Sequence, residues 1–137
     1  FMQYLKRGED FITPEGEIVA NELLTVAPPP ARSFAYMTDT LFRERFADYV
    51  RGVDLLYHEA TYMNADAVLA KESYHSTTGQ AARIAELAGV GKLLLGHFSA
   101  RYTECSELLA EAREVFPNTF LCSDGDLFEV PAVKRRS

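Results

Sequence analysis

Several features that define common protein classes are scarce in this sequence. Its two cysteines, Cys105 and Cys122, fit no zinc spacing such as Cys-x-x-Cys, so we expect reduced thiols in a reducing compartment. It has no signal peptide and no run of roughly 18 apolar residues, so we expect a cytoplasmic location and no membrane partner. The net charge of −6 argues against a generally basic, nucleic-acid-coating surface, but it does not exclude an RNA that is held locally.

The apolar content is sufficient for the core of one domain, or of part of one. The chain has 137 residues, of which 47% are hydrophobic. Three successive prolines, residues 28–30, predict a rigid extended surface loop in preference to a linker between domains. The chain opens at Phe1 in the middle of a pattern, and we therefore expect a fragment of a longer protein.

Strand-like runs in the sequence lead to side chains suited to metal or phosphate chemistry. There are three such runs: residues 34–37 before Asp39, residues 53–57 before His58 and Glu59, and residues 92–95 before His97. Each is followed by a helical pattern or by a loop that leads to one, which predicts parallel strands. Because the carboxyl ends of parallel strands lie on the same side of an open sheet, we predict a site there.

Helical patterns alternate with these runs. Phe42, Phe46, Tyr49 and Val50 are spaced as on one face of an α-helix. A second helix is predicted from Thr77, because Thr77 and Gln80 match a capping box, and Gly89 suits its end. The remaining predicted elements are a helix around residues 65–71, a helix over residues 103–116, and strands over residues 119–122 and 127–130. The order predicts an α/β layer.

Two candidate residues precede predicted helices. His75 comes just before the helix at Thr77, whose free amides and dipole favour an anion such as phosphate. Ser76 and Thr77 suit the same role, although helix capping alone explains Thr77. Asp39 lies between a strand and a helix, where it either caps the helix or ligates a metal.

Other candidates are ambiguous when they are taken singly. Glu59 suits a general acid or base, a partner that orients a histidine, or a solvated loop carboxylate. Arg101 suits a phosphate contact or a cap on the preceding loop. Asp39, His97 and one further histidine would make a poor mononuclear zinc site, because the sequence has no His-x-His or His-Glu-x-x-His motif.

Four blocks of sequence together resemble the ribonuclease Z family, tRNA 3′-processing endonucleases of the metallo-β-lactamase superfamily. The blocks are Met-Thr-Asp-Thr at 37–40, Tyr-His-Glu-Ala-Thr at 57–61, Tyr-His-Ser-Thr-Thr-Gly-Gln-Ala-Ala at 74–82, and Leu-Gly-His-Phe-Ser-Ala-Arg-Tyr at 95–102. Their order and spacing match over roughly residues 34–103. The resemblance implies the αββα sandwich of that superfamily, of which this chain would supply one αβ layer, the C-terminal half.

The resemblance also implies roles for individual residues. Asp39 would bridge two zinc ions and His97 would ligate one of them. His75 would lie beside the scissile phosphate, with Glu59 supporting it. Ser76, Thr77 and Arg101 would contact phosphate or RNA. The implied reaction is hydrolysis of precursor tRNA after the discriminator nucleotide, which leaves a 3′-hydroxyl, and the implied assembly is a homodimer.

The chain departs from the family pattern in one large respect. The family's His-x-His-x-Asp-His motif, a further histidine ligand and the tRNA-binding arm are all missing from this sequence. We therefore expect residues 1–137 to be the C-terminal part of the domain, inactive alone and weak in zinc binding. The alternatives are another phosphodiesterase or arylsulfatase-like hydrolase of the superfamily, and a non-catalytic α/β module that binds a phosphate ligand or a partner at the helix of residues 77–88.

Overall fold

The computed structural model describes residues 2–131, which belong to two compact units that divide between Ala31 and Arg32. The boundary lies one residue after the three prolines, residues 28–30, so the surface loop predicted there is instead the connection between the two units. The first unit contains helix α1 (Met2–Leu5), an antiparallel pair of short strands, β1 (Phe11–Ile12) and β2 (Ile18–Val19), and helix α2 (Asn21–Leu24). None of the candidate residues lies in this unit.

The second unit is built on a parallel sheet. Its strands lie in the order β3 (Phe34–Met37), β4 (Leu55–Glu59), β5 (Lys92–Gly96) and β6 (Thr119–Leu121). The helices are α3 (Ala67–Glu72), α4 (Thr78–Ala88) and α5 (Ser106–Val115), with 3₁₀ turns over Glu44–Val50 and Asn64–Asp66. The predicted α/β class and parallel strands are therefore confirmed. Within residues 2–131, no helix has the length and apolarity that a bilayer crossing requires.

Helix α4 packs closely on one face of the sheet because its inward side chains are small. Its buried stripe is Ala81, Ala82, Ile84, Ala85 and Ala88, and it joins Leu56 of β4 with Leu93 and Leu95 of β5 in one core. Burying each leucine contributes roughly 1.5–3 kcal/mol. On the opposite face of the sheet, Phe34 and Tyr36 are more than half exposed.

The predicted caps of α4 are both present. Thr77 accepts a hydrogen bond from the backbone N–H of Gln80, whose side chain accepts the Thr77 N–H in return. Gly89 ends the helix in the left-handed region at φ +61°, where a side chain would be strained. Since the capping residues fix the first turn, they also fix the position of the residues just before it, His75 and Ser76.

The expected α-helix around residues 42–50 is wrong. The segment forms a 3₁₀ helix over Glu44–Val50 instead, and Tyr49 is 81% exposed. A 3₁₀ helix has three residues per turn, so residues three apart share a face, and Ala47 and Val50 are the buried pair. The spacing that would align Tyr49 with Phe42 in an α-helix is lost.

Two strand predictions also need correction. Residues 127–130 form no strand, and Leu127 is 98% exposed. The strand expected at residues 53–57 runs over Leu55–Glu59, because the backbone N–H of Asp54 donates to the Ser33 hydroxyl and not to the ladder. Glu59 is therefore the last residue of a central strand and not a loop residue.

Candidate metal-binding and catalytic site

The carboxyl edge of the sheet gathers Asp39, His75 and His97. Asp39 follows β3 by two residues, His97 directly follows β5, and His75 lies three residues before α4. Nε2 of His97 lies 3.4 Å from Oδ1 of Asp39, and the two imidazole rings are stacked with centroids 5.2 Å apart. One ligand atom from each residue falls within 4.8 Å of the others. The structure thus brings the three residues to a common edge.

Two of the three residues have an unusual backbone conformation. Asp39 has φ +47° and His97 has φ +60°, both in the left-handed region that residues other than glycine seldom adopt. Such a conformation costs on the order of 1–3 kcal/mol and persists where the surrounding structure enforces it. It turns the chain sharply at the ends of β3 and β5, where the candidate ligands stand.

Glu59 is the buried centre of the site. Its side chain is fully inaccessible to solvent. Oε1 accepts hydrogen bonds from the backbone N–H of Ser76 (2.7 Å), the backbone N–H of Thr40 (3.2 Å) and Nδ1 of His75 (3.2 Å). Oε2 accepts the backbone N–H (2.9 Å) and the hydroxyl (2.8 Å) of Thr61. A buried carboxylate without such donors would be costly, so this network both stabilises Glu59 and excludes the solvated-loop interpretation.

The contact with Glu59 determines which nitrogen of His75 remains available. Nδ1 donates to the carboxylate, so the proton resides there and Nε2 is left for a substrate or a solvent molecule. The Tyr62 ring contacts the imidazole in an edge-type arrangement at a centroid distance of 6.3 Å. The ring of His75 is therefore oriented from two sides while its side chain stays partly exposed.

Thr61 contacts the imidazole of His97 and is not among the site residues predicted from the sequence. Its hydroxyl lies 2.8 Å from Nδ1 of His97 as well as 2.8 Å from Oε2 of Glu59. A threonine two residues beyond a strand-end glutamate lies on the same side of the chain as that glutamate, because side chains alternate along extended backbone. That spacing is the signal by which Thr61 could have been found.

Ser76 and Thr77 are fully buried, and both hydroxyls already have partners within the chain. Ser76 donates to the backbone carbonyl of Thr40 at 2.6 Å, and Thr77 donates to Oδ1 of Asn64 at 2.7 Å while it caps α4. A contact between these hydroxyls and substrate stays a prediction, and their burial weighs against it. What they do in this structure is hold the loop before α4 in place.

Arg101 is tethered but retains an accessible guanidinium. Its Nη1 lies 3.3 Å from Oδ1 of Asp66, and the guanidinium sits 5.5 Å from the centre of the Tyr62 ring. Tyr102 donates to the same Asp66 carboxylate and accepts the backbone N–H of Met63. The loop that follows His97 is thereby fixed to the segment that follows β4.

The third histidine, His58, does not join this cluster. It is buried in the sheet, with Nδ1 2.6 Å from the backbone carbonyl of Glu59. Burial lowers the pKa of His58 below its usual value, because the charged imidazolium would lose its hydration there. It is a neutral structural residue.

The donor set suits a borderline metal ion such as zinc. Zinc takes imidazole nitrogen and carboxylate oxygen at roughly 2.0–2.2 Å, so two tetrahedral ligands of one ion lie roughly 3.3–3.6 Å apart. The 3.4 Å between His97 Nε2 and Asp39 Oδ1 has this spacing. Because Nδ1 of His75 is engaged by Glu59, Asp39 and His97 are the residues best placed to hold the ion. A closed site would need further ligands.

This chain is similar to known proteins in sequence and in fold. A ribonuclease Z from Bacteroides fragilis (strain YCH46) is 52% identical over 120 residues, which cover 88% of this chain and 40% of the relative. The solved structure of human tRNase Z, short form, has 28% identity and a TM-score of 0.56, and the match covers 83% of this chain and 37% of that one. The metallo-beta-lactamase fold protein YhfI from Bacillus subtilis has 26% identity and a TM-score of 0.65, over 70% of this chain and 39% of that one.

The chain corresponds to a part of each protein that it matches. It spans about 40% of the length of the curated relative from Bacteroides fragilis. Its parallel sheet and helices match part of the metallo-beta-lactamase fold protein YhfI and part of human tRNase Z. The sequence profile of the beta-lactamase superfamily domain matches residues 23–98, more than half of the 137 residues, and the chain therefore belongs to the beta-lactamase superfamily.

Proposed function

We propose that this chain forms the C-terminal part of a zinc-dependent endoribonuclease that removes the 3′ trailer from precursor tRNA. The observation that carries the proposal is the buried carboxylate of Glu59, which holds His75 directly and His97 through Thr61, beside Asp39. The similarity to ribonuclease Z sequences supports the choice of substrate. In the complete protein the reaction is phosphodiester hydrolysis that leaves a 3′-hydroxyl on the tRNA.

Five of the candidate residues have a place in this proposal. Asp39 and His97 hold the metal, which when bound supplies Lewis-acid chemistry and makes water a better nucleophile. His75 stabilises charge on the scissile phosphate or passes a proton to the leaving oxygen through Nε2. Glu59 orients His75, and Arg101 meets a phosphate of the RNA with the part of its guanidinium that Asp66 leaves accessible.

The domain assignment is part of the same proposal. The sheet has helices on one face, while Phe34 and Tyr36 are exposed on the other, as expected for one αβ layer of a four-layer sandwich. Within residues 2–131, Asp39, His75 and His97 form the single group of metal-capable side chains. We therefore propose that the 137-residue chain alone is inactive and binds zinc weakly. The resemblance to ribonuclease Z leads us to propose as well that the complete protein is a cytoplasmic homodimer.

A second candidate is a different phosphodiesterase of the superfamily. It is supported by the match to YhfI, a metallo-beta-lactamase fold protein, with a TM-score of 0.65 against 0.56 for human tRNase Z. The two are separated by assaying the complete protein on precursor tRNA and on bis(4-nitrophenyl) phosphate. We expect cleavage of precursor tRNA at its 3′ side, and activity confined to the small ester would favour the second candidate.

A further inference from the structure

The hydroxyl group of Thr61 lies between Glu59 and His97 and contacts both. The residue is nearly fully buried and both of its donors, the backbone N–H and the hydroxyl, contact Oε2 of Glu59. The same hydroxyl oxygen lies 2.8 Å from Nδ1 of His97. One hydroxyl thus has two partners at hydrogen-bond distance, and its one proton serves only one of them.

The surroundings determine where that proton goes. Glu59 offers only acceptor oxygens to its five neighbouring donors, so the Thr61 hydroxyl donates to Oε2. If the hydroxyl instead donated to His97, Oγ1 and Oε2 would face each other at 2.8 Å with lone pairs and no proton between them. The oxygen of Thr61 must therefore accept from Nδ1 of His97.

We infer that Thr61 is a positioning residue that sets the tautomer of His97, with the proton on Nδ1 and the lone pair on Nε2. Nε2 is the nitrogen that lies 3.4 Å from Asp39, and a metal ligand must present a bare nitrogen. The tautomer itself does not depend on the proposed function. Only the statement that Nε2 of His97 ligates a metal rests on it.

The consequence is that one carboxylate orients both rings. Oε1 of Glu59 fixes Nδ1 of His75 directly, and Oε2 fixes Nδ1 of His97 through the threonine hydroxyl. Both imidazoles then have Nε2 free for chemistry. A serine at position 61 would preserve this relay, whereas a valine has the shape of threonine without its hydroxyl.

The tautomer can be read directly by long-range ¹H–¹⁵N NMR of the histidine rings in the 137-residue chain without metal. The spectra are recorded at a pH where the ¹⁵N shifts themselves show that the imidazoles are neutral. We expect His97 to carry its proton on Nδ1 in the unaltered chain and in Thr61→Ser. In Thr61→Val we expect the proton to move to Nε2, where it can be donated to Asp39.

An unaltered chain with the His97 proton on Nε2 would overturn the inference, as would a Thr61→Val spectrum identical to the unaltered one. If Thr61→Val does not fold, the unaltered chain and Thr61→Ser still decide the matter. The measurement needs no catalysis, so it is separate from the proposed function. If His97 carries its proton on Nδ1 but the complete protein does not cleave precursor tRNA, the proposed function is wrong and the inference about Thr61 stands.

Discussion

The buried carboxylate of Glu59 accepts a hydrogen bond from Nδ1 of His75 at 3.2 Å, across 16 residues of sequence. The contact joins the end of β4 to the loop before α4. Because a carboxylate that accepts from an imidazole fixes both the tautomer and the orientation of the ring, Glu59 holds the ring of His75 in one direction although His75 lies in a loop.

Replacing Glu59 by glutamine should destabilise the chain. The amide has one acceptor oxygen and one donor nitrogen, so its NH₂ would face donors from either Ser76 or Thr61. We expect a loss of about 1–3 kcal/mol in the free energy of unfolding, measured by urea denaturation. The exposed Glu72→Gln makes the same chemical change away from the site and should have little effect. Equal stability of the two variants would show that the Glu59 network contributes nothing.

Removing the Asp39 carboxylate should lower the metal content. In the complete protein, Asp39→Ala takes away the oxygen that lies 3.4 Å from Nε2 of His97, so bound zinc and activity should fall together. Zinc per chain is measured by atomic emission after dialysis. The exposed Asp48→Ala is the control, since Asp48 pairs only with Arg51 in the contacts described. Full zinc content with lost activity would mean that Asp39 acts in some other way.

Burial of His58 should make stability depend on pH. Its pKa is lowered in the folded chain, so the unfolded chain binds the proton first as the pH falls. The contribution of neutral His58 to the free energy of unfolding is thus fully present above about pH 6.5. It is lost below that pH, with a limiting slope of about 1.4 kcal/mol per pH unit. Urea denaturation at several pH values should show a shallower loss for His58→Gln than for the unaltered chain. Parallel curves would contradict the assignment.

Gly96 leaves room for the Tyr57 ring beside the site. A Cβ at position 96 would lie 2.5 Å from the hydroxyl oxygen of Tyr57 and 2.8 Å from a ring carbon. Gly96→Ala should therefore cost about 1–3 kcal/mol through overpacking. Combining it with Tyr57→Ala should recover part of that loss, which a double-mutant cycle measures as a coupling energy. Strictly additive effects would show that the Tyr57 ring moves aside without a loss of stability.

The parts of the fold that local chemistry dictates could be predicted from the sequence. The capping pair Thr77 and Gln80 and the terminal Gly89 specify α4 by themselves, and the structure shows all three in those roles. The strand-end position of His97 likewise followed from an apolar run. Parallel pairing of such strands then placed their ends at one edge.

What could not be predicted depends on contacts between distant segments. The burial of Ser76 follows from its hydrogen bond to Thr40, 36 residues away, and no local pattern distinguishes it from an exposed capping residue. The relay through Thr61 needs the register of β4 against β5, which sets Glu59 opposite Gly96. The 3₁₀ geometry of Glu44–Val50 was missed because its apolar residues also fit an α-helix.

The most direct test of the role of His75 is His75→Ala in the complete protein, assayed on precursor tRNA with the exposed Arg83→Gln as control. Loss of a positioned acid or base should lower the rate on the order of 10²–10⁴-fold, while the control stays near the unaltered rate. A His75→Ala enzyme that turns over as fast as the control would contradict the proposal that this imidazole, held by Glu59, acts in phosphodiester cleavage.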